Sequence, residues 1–172
     1  MNSLYTPLTK KKAEELRAGE EISLTGVIYT ARDKAHKRIA NALLRHRNPS
    51  FPLQDQIIYY CGPTPAPRNR VIGSCGPTTS SRMDEFTPLL LKKGLRGMIG
   101  KGKRTEKVIE AIKRFKAVYF VTFGGCGALL STFVKKKEVV AYPELKTEAV
   151  YRLYVEDFPL IVAIDSRGRE IF

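Results

Sequence analysis

The order of strand-like and helix-like segments narrows the folds open to this chain more than any other feature. Short apolar or alternating segments are followed by helical segments through the first two-thirds of the sequence. The predicted strands cover residues 22–29, 56–61, 97–99, 117–123, 148–156 and 160–164, and the predicted helices cover residues 9–17, 33–47, 83–93 and 105–116. This alternation predicts an α/β layered domain, and the strand-rich last third predicts that part of the sheet system is antiparallel.

The length and composition of the chain fit one domain with a hydrophobic core. The chain has 172 residues, of which 43% are hydrophobic, which suits a single domain over residues 1–172. No apolar run approaches the ~20 residues that cross a membrane, and residues 1–7 lack a charged-then-apolar signal pattern. The cysteines Cys61, Cys75 and Cys126 are odd in number and widely spaced, so we expect no disulfide framework and a cytoplasmic location.

The chain is strongly basic, with a formal net charge of +13. This charge is compatible with nucleic-acid binding, with a site for polyanionic small molecules, and with a solvated basic surface matched to an acidic partner subunit. Charge alone does not choose among these three classes.

Residues 73–84 form the most distinctive local motif, Gly-Ser-Cys-Gly-Pro-Thr-Thr-Ser-Ser-Arg-Met-Asp. The glycines and the proline predict a tight turn that leads into a helix. Exposed amides, hydroxyl groups and one fixed cation in such a turn make a pocket for a small anion. We call this segment the Gly-Pro-Thr-Thr turn.

Cationic residues stand at the ends of several predicted strands. Arg32 follows the strand at 22–29, Arg82 closes the Gly-Pro-Thr-Thr turn, and Lys101 lies between two glycines after the strand at 97–99. Loops at the carboxyl ends of strands bind ligands in open α/β sheets. An arginine fork matches a carboxylate and a lysine adds a point charge, so convergence of these residues predicts a dicarboxylate site. Solvated surface charges are the alternative.

Two residues are candidates for proton transfer. Thr78 becomes a useful base only where cations or amides stabilise its alkoxide; otherwise Thr78 and Thr79 are turn-forming hydroxyl residues. His36 lies one helical turn after Arg32 and titrates near neutral pH, the alternative being a half-exposed helix histidine.

The remaining motifs argue against a metal or nucleotide site within this chain. No cysteine pair has the short spacing of iron–sulfur ligands, and Cys126 in Gly-Gly-Cys-Gly is interpreted as core filler or pocket lining. There is no His-x-x-His, Cys-x-x-Cys or Gly-Lys-Ser/Thr motif.

Taken together, these motifs resemble a known family. Residues 30–38 (Thr-Ala-Arg-Asp-Lys-Ala-His-Lys-Arg), residues 76–84, residues 100–102 (Gly-Lys-Gly) and Asp157-Phe158-Pro159 with Asp165 are similar to the β subunit of class I fumarate hydratase. The same region is the C-terminal domain of single-chain class I fumarases, and the L(+)-tartrate dehydratase β subunit is closely similar. The resemblance spans nearly the whole chain.

The resemblance implies a three-layer "swivelling" β/β/α domain with mixed sheets. It implies a carbon–oxygen hydro-lyase of the citric acid cycle that reversibly hydrates fumarate to L-malate. Its [4Fe-4S] cluster acts as Lewis acid and is held by the cysteines of a partner α subunit, so this chain binds no cofactor alone. The expected assembly is a heterodimer or heterotetramer.

The resemblance also implies roles for individual residues. Arg32, Arg82 and Lys101 match the residues that bind the substrate carboxylates, Thr78 matches the base, and His36 competes with Thr78 for that role. Arg82-Met83-Asp84 with Thr87-Pro88, and Lys103-Arg104-Thr105, favour fumarate over tartrate. The non-enzymatic alternative is a basic nucleic-acid-binding module, although aromatic residues are not interleaved with the basic ones.

Overall fold

One mixed sheet of seven strands organises the chain, and the computed structural model describes residues 1–172. The strands are β1 (Asn2–Tyr5), β2 (Glu21–Thr30), β3 (Ile57–Tyr59), β4 (Gly97–Gly100), β5 (Val118–Val121), β6 (Val134–Ala141) and β7 (Val150–Ile164). The helices are α1 (Lys10–Glu15), α2 (Asp33–Leu44), α3 (Thr87–Lys92), α4 (Glu106–Phe115) and α5 (Gly127–Ser131), with short 3-10 helices at Ser80–Met83 and Pro143–Glu148.

The sheet curls back on itself. Its strand order is β1-β2-β3-β4-β5-β7-β6, and β2 also pairs with β7. Strands β1 to β5 run parallel, whereas β7 is antiparallel to β2, β5 and β6. Because β7 contacts both β2 and β5, the strands β2, β3, β4, β5 and β7 form a closed ring. The mixed parallel and antiparallel sheet confirms the predicted α/β class with three layers.

Each face of the sheet has its own apolar core. Helices α2, α3 and α4 cover one face, where Ile39, Leu90 and Ile112 pack against strand residues. The opposite face is enclosed by the curled sheet and contains Tyr59 and Phe158. Successive residues within each strand contribute to one core and then the other, because neighbouring side chains of a strand point to opposite faces.

Helix α4 illustrates how the sequence defines these layers. Thr105 is its N-cap residue, and Lys116 ends it in the left-handed conformation with φ 55°. Val108, Ile109 and Ile112 are buried, as their helical spacing predicts. The predicted helix at 105–116 is therefore confirmed to within one residue at each end.

Three parts of the predicted element order were wrong. The two late strands at 148–156 and 160–164 are one strand, β7, because Asp157 takes a positive φ of 54° and carries the chain through an irregularity in the ladder. The helix at 83–93 is a 3-10 turn followed by α3, with Pro88 in its first turn. The sequence analysis assigned no element to β1, α5 or β6. No helix is both long and apolar enough to span a bilayer.

Candidate active site

Three neighbouring parallel strands end at one edge of the sheet. β2 ends at Thr30, β3 at Tyr59 and β4 at Gly100, and these strands are adjacent in the order β2-β3-β4. Arg32 follows β2 and Lys101 follows β4, so the two residues flank the end of β3. We call this the carboxyl edge, the position at which open α/β sheets bind ligands.

The Gly-Pro-Thr-Thr turn lies across the carboxyl edge. The Thr78 amide donates to the Tyr60 carbonyl at 2.7 Å, just beyond β3. Thr79 forms a parallel bridge with Lys101, and the Ser80 amide donates to the Lys101 carbonyl at 3.0 Å. The Lys101 amide donates in return to Ser80 Oγ at 3.0 Å. These bonds bring the turn and the Gly-Lys-Gly loop together, with half-buried Thr78 over the end of the central strand.

Gly100 is required for this close approach. A Cβ atom at Gly100 would overlap Ser80 Oγ and would lie 2.9 Å from the Tyr60 ring. Both neighbours belong to the packed layer under the turn, since Ser80 and Tyr60 are buried. Glycine at this position therefore lets the turn dock on the strand end.

Arg82 forms a two-point ion pair with Asp33. Arg82 Nε donates to Asp33 Oδ1 at 3.0 Å and Nη2 donates to Oδ2 at 2.7 Å. These hydrogen bonds lower the pKa of Asp33 and raise that of Arg82. Asp33 is the first residue of α2, but its side chain does not cap the helix, since Arg32 is the N-cap residue. The Asp33 side chain instead links α2 to the turn.

Arg32 joins this group with an unsatisfied donor. Its Nε lies 4.0 Å from Asp33 Oδ2 and is buried without a hydrogen-bond partner. Gly62 makes room for the side chain, because a Cβ there would approach Arg32 Cδ to 2.9 Å. Buried donors normally find a partner, so Arg32 Nε is suited to donate a hydrogen bond to a bound anion.

His36 lies in α2 and has no exposed surface. Its Nδ1 is 2.9 Å from the Arg32 carbonyl, and its ring meets Tyr60 edge-on with centroids 5.3 Å apart. Burial lowers the pKa of His36 to about 4, so the ring is neutral near pH 7. The half-exposed alternative was wrong. His36 contacts the backbone of Arg32 and does not reach the solvent.

A buried polar network that the sequence analysis did not predict supports the turn from below. Arg104 Nε donates to Asp84 Oδ1 at 2.6 Å, and Arg104 Nη2 donates to Thr87 Oγ1 at 2.9 Å. The guanidinium lies 4.8 Å from the centroid of the Tyr119 ring and 5.3 Å from that of Tyr60. The opposite charges of Asp84 and Arg104 were the only sequence signal for this network. Their separation along the chain does not indicate that the two residues meet.

Tyr119 connects this network to the Gly-Pro-Thr-Thr turn and to the Gly-Lys-Gly loop. Its hydroxyl oxygen lies 2.9 Å from Ser80 Oγ and 2.9 Å from the Gly102 carbonyl. Burial raises the pKa of Tyr119 to about 12, so its hydroxyl remains a donor. Because Ser80 also accepts from the Lys101 amide, the network fixes the backbone on both sides of Lys101.

The cysteines do not fit a metal cluster. Cys61 and Cys75 are buried, Cys126 is half-buried, and all three are free. The Cys61 and Cys75 thiols interact with each other: their hydrogen bond is the main cause that raises the pKa of Cys61 and lowers that of Cys75. No group of three or more His, Cys, Asp or Glu side chains is placed to hold a metal ion.

Comparison with known sequences identifies the family of this chain. The profile of the family described as Fumarase C-terminus matches residues 2–172. The chain belongs to the fumarase C-terminal family. A Methanocaldococcus jannaschii protein named as an L(+)-tartrate dehydratase subunit beta is 38% identical to this family member over 178 residues, covering 100% of this chain and 91% of the relative.

Other relatives of this fumarase C-terminal chain are longer proteins. The aerobic class I fumarate hydratase of Salmonella typhimurium is 37% identical over 153 residues, covering 88% of this chain but 26% of the relative. Fumarate hydratase 2 of Leishmania major is 32% identical over 173 residues, covering 98% of this chain and 30% of the relative. The chain therefore spans about a quarter to a third of these fumarate hydratases and most of the tartrate dehydratase relative.

Proposed function

We propose that this chain is the β subunit of a hydro-lyase that reversibly hydrates fumarate to L-malate, together with a separate α subunit. The observation that carries the proposal is the arrangement of the carboxyl edge. Arg32 and Lys101 flank the end of β3, Thr78 lies over that end, and Arg82 is tied to the residue after Arg32. An edge with three cations and one hydroxyl group suits a small dicarboxylate.

The cations have complementary roles in this proposal. Arg82 is exposed enough to meet a ligand, with 46% of its side chain accessible, and offers a planar fork to one carboxylate. Lys101 is exposed and supplies a point charge from the neighbouring loop. Arg32 Nε supplies a buried donor that has no hydrogen-bond partner within the protein. Preorganised donors of this kind contribute ~3 kcal/mol each where charge develops in the transition state.

Thr78 is the proposed base. The proton next to a carboxylate is weakly acidic, and its removal places further negative charge on that carboxylate. Arg82 and Lys101 would stabilise both this charge and the Thr78 alkoxide. His36 is assigned a positioning role rather than that of the base, because its ring is buried and holds the Arg32 carbonyl.

We assign the [4Fe-4S] cluster to the α subunit. The cysteines of this chain do not fit such a cluster, and no donor set replaces them. The name of the M. jannaschii relative, a subunit beta, supports an enzyme divided between two chains. The free cysteines support a location in the cytoplasm.

Dehydration of L(+)-tartrate to oxaloacetate is the second candidate function. The tartrate dehydratase relative from M. jannaschii is named as a subunit beta and is matched over 91% of its length. A substrate with a second hydroxyl group would need a further polar partner at the carboxyl edge. Activity on tartrate in excess of activity on malate would favour this candidate.

The direct test is reconstitution of the assembled enzyme. The chain is co-expressed with a candidate α subunit, the cluster is loaded anaerobically, and turnover of malate, fumarate and tartrate is measured. We expect Arg82→Ala to abolish turnover without unfolding the chain. Arg167→Ala, a matched change of an exposed arginine beyond the end of β7, should retain activity. Near-wild-type turnover in Arg82→Ala would refute the assignment.

A further inference from the structure

We propose that Asp33 is a positioning residue that holds the Arg82 fork in the orientation needed to bind a substrate carboxylate. The inference rests on the proposed function and adds a residue that neither the sequence motifs nor the relatives assign to it. It is carried by the two-point contact between the start of α2 and the Gly-Pro-Thr-Thr turn.

The geometry of the contact leaves one edge of the guanidinium free. Asp33 accepts from Nε and from Nη2, which together form the side edge of the planar group. The end edge, formed by Nη1 and the other hydrogen of Nη2, makes no hydrogen bond within the protein. Parallel N–H groups on that end edge are the arrangement that binds a carboxylate with two hydrogen bonds.

Arg82 needs such an anchor because little else restrains it. Its side chain is 46% accessible, and its backbone belongs to a four-residue 3-10 helix rather than a long element. Asp33 is in a different position, since it opens the twelve-residue helix α2 directly after β2. A half-exposed arginine is therefore attached to the first residue of a long helix.

Asp33 also sets the relation between the two arginines. Arg32 Nε lies 4.0 Å from the Oδ2 atom that accepts from Arg82. A carboxylate between two guanidinium groups offsets their repulsion and keeps both at a short separation. The two arginines can then act on one dicarboxylate from neighbouring loops.

A second carboxylate near Arg82 provides a matched control. Glu148 influences Arg82 through its charge but pairs with Lys34 at 3.8 Å and does not hydrogen-bond to the Arg82 fork. Glu148→Gln removes the same charge as Asp33→Asn while leaving the fork attached. A loss confined to Asp33→Asn therefore reports geometry rather than net charge.

The kinetic test uses the assembled enzyme. For Asp33→Asn we expect kcat/KM to fall by about 10- to 100-fold, since small misplacement of a binding group has effects of this size. Both a higher KM and a lower kcat should contribute, and Asp33→Glu should recover part of the loss. Glu148→Gln should stay within about twofold of wild type, because Glu148 pairs with Lys34 and makes no hydrogen bond to the Arg82 fork.

A double-mutant cycle identifies the partner through which Asp33 acts. Because Arg82→Ala is expected to abolish turnover, the cycle is measured as affinity for succinate, an unreactive dicarboxylate: if Asp33 works through Arg82, Asp33→Asn has no further effect in the Arg82→Ala background. Multiplicative losses in the double variant, or a wild-type kcat/KM in Asp33→Asn, would overturn the inference. Equal losses in Asp33→Asn and Glu148→Gln would do so as well.

Binding separates this inference from the proposed function. Succinate, a dicarboxylate that does not react, is titrated into the same assembled proteins, with the Arg82 Nε–H resonance followed by NMR. We expect weaker binding by about tenfold in Asp33→Asn and unchanged binding in Glu148→Gln. An enzyme that binds succinate in this pattern but turns over no substrate refutes the function and retains the positioning role. Equal succinate affinity in wild type and Asp33→Asn refutes the positioning role.

Discussion

The Asp84 carboxylate lies 2.6 Å from Arg104 Nε beneath the Gly-Pro-Thr-Thr turn, where the arginine side chain has no accessible surface. The other oxygen of Asp84 accepts from the Thr105 amide at 2.8 Å, at the start of α4. One carboxylate therefore joins the turn that carries Thr78 to the loop that carries Lys101. The buried network therefore supports the Gly-Pro-Thr-Thr turn and the Gly-Lys-Gly loop from below.

Loss of this ion pair should destabilise the protein strongly. Arg104→Met leaves the Asp84 charge buried without its partner, and we expect a loss of about 3–5 kcal/mol in the free energy of unfolding. Urea unfolding at neutral pH measures this loss. The double variant with Asp84→Asn should regain part of it, and Glu110→Gln, which breaks an exposed pair with Lys113, should cost less than about 1 kcal/mol. A loss below about 1 kcal/mol in Arg104→Met would contradict this account.

The stability of the protein should fall in mild acid because of His36. Its pKa is depressed to about 4 in the folded state, whereas an unfolded histidine titrates near about 6.5. As pH falls below the unfolded value the unfolded chain takes up the proton first, so stability decreases until the folded pKa is reached. The size of the effect is about 3 kcal/mol. His36→Phe should remove this part of the pH dependence, as measured by unfolding between about pH 7 and pH 4.

The matched control for His36 is the other histidine. His46 is exposed and takes a positive φ of 57°, so His46→Asn preserves the backbone preference. The pH dependence of unfolding should be the same in this variant as in wild type. A His36→Phe profile parallel to that of wild type would show that burial of His36 does not set the acid sensitivity.

Glycine at position 100 should be needed for both stability and activity. The Cβ of Gly100→Ala would overlap Ser80 Oγ, so the turn must shift at a cost of about 1–3 kcal/mol. The contacts that hold Lys101 would shift with it, and kcat/KM should fall. Gly124→Ala is the control, because its Cβ meets only Lys101 Cδ at 3.7 Å. Equal behaviour of the two variants in unfolding and turnover would argue against close docking of the turn.

The cysteines of this chain should be dispensable for cluster loading. Replacement of Cys61, Cys75 or Cys126 by Ala removes no ligand, since these thiols form no metal-binding group. We expect the assembled enzyme to retain its iron content and its absorbance in each variant, with some loss of stability at the two buried sites. Loss of iron from one of these variants, with the complex intact, would place a ligand in this chain.

Local patterns and strand ends were predictable from the sequence. The helical spacing of Val108, Ile109 and Ile112 correctly predicted α4. Arg32 and Lys101 each follow a predicted strand, and β2 and β4 do end at the same edge on either side of β3. These features depend on neighbouring residues or on the general rules of parallel sheets.

Contacts between distant segments could not be read in the same way. Asp33 and Arg82 are 49 residues apart in the sequence, and no local pattern pairs them. The continuity of β7 was missed because Asp157 and Pro159 suggest a break, whereas the positive φ of Asp157 keeps the strand in the sheet. The burial of His36 depends on Tyr60 and Phe86, which approach it from other segments.

The role of Thr78 is tested most directly by comparing Thr78→Val with Thr79→Val in the assembled enzyme. Both changes replace a hydroxyl group by a methyl group in adjacent residues of one turn, and Thr79 is exposed. If Thr78 is the base, kcat on malate should fall by about 10²–10⁴-fold in Thr78→Val with little change in KM, while Thr79→Val stays near wild type. Near-wild-type kcat in Thr78→Val, or an equal loss in both variants, would contradict the account.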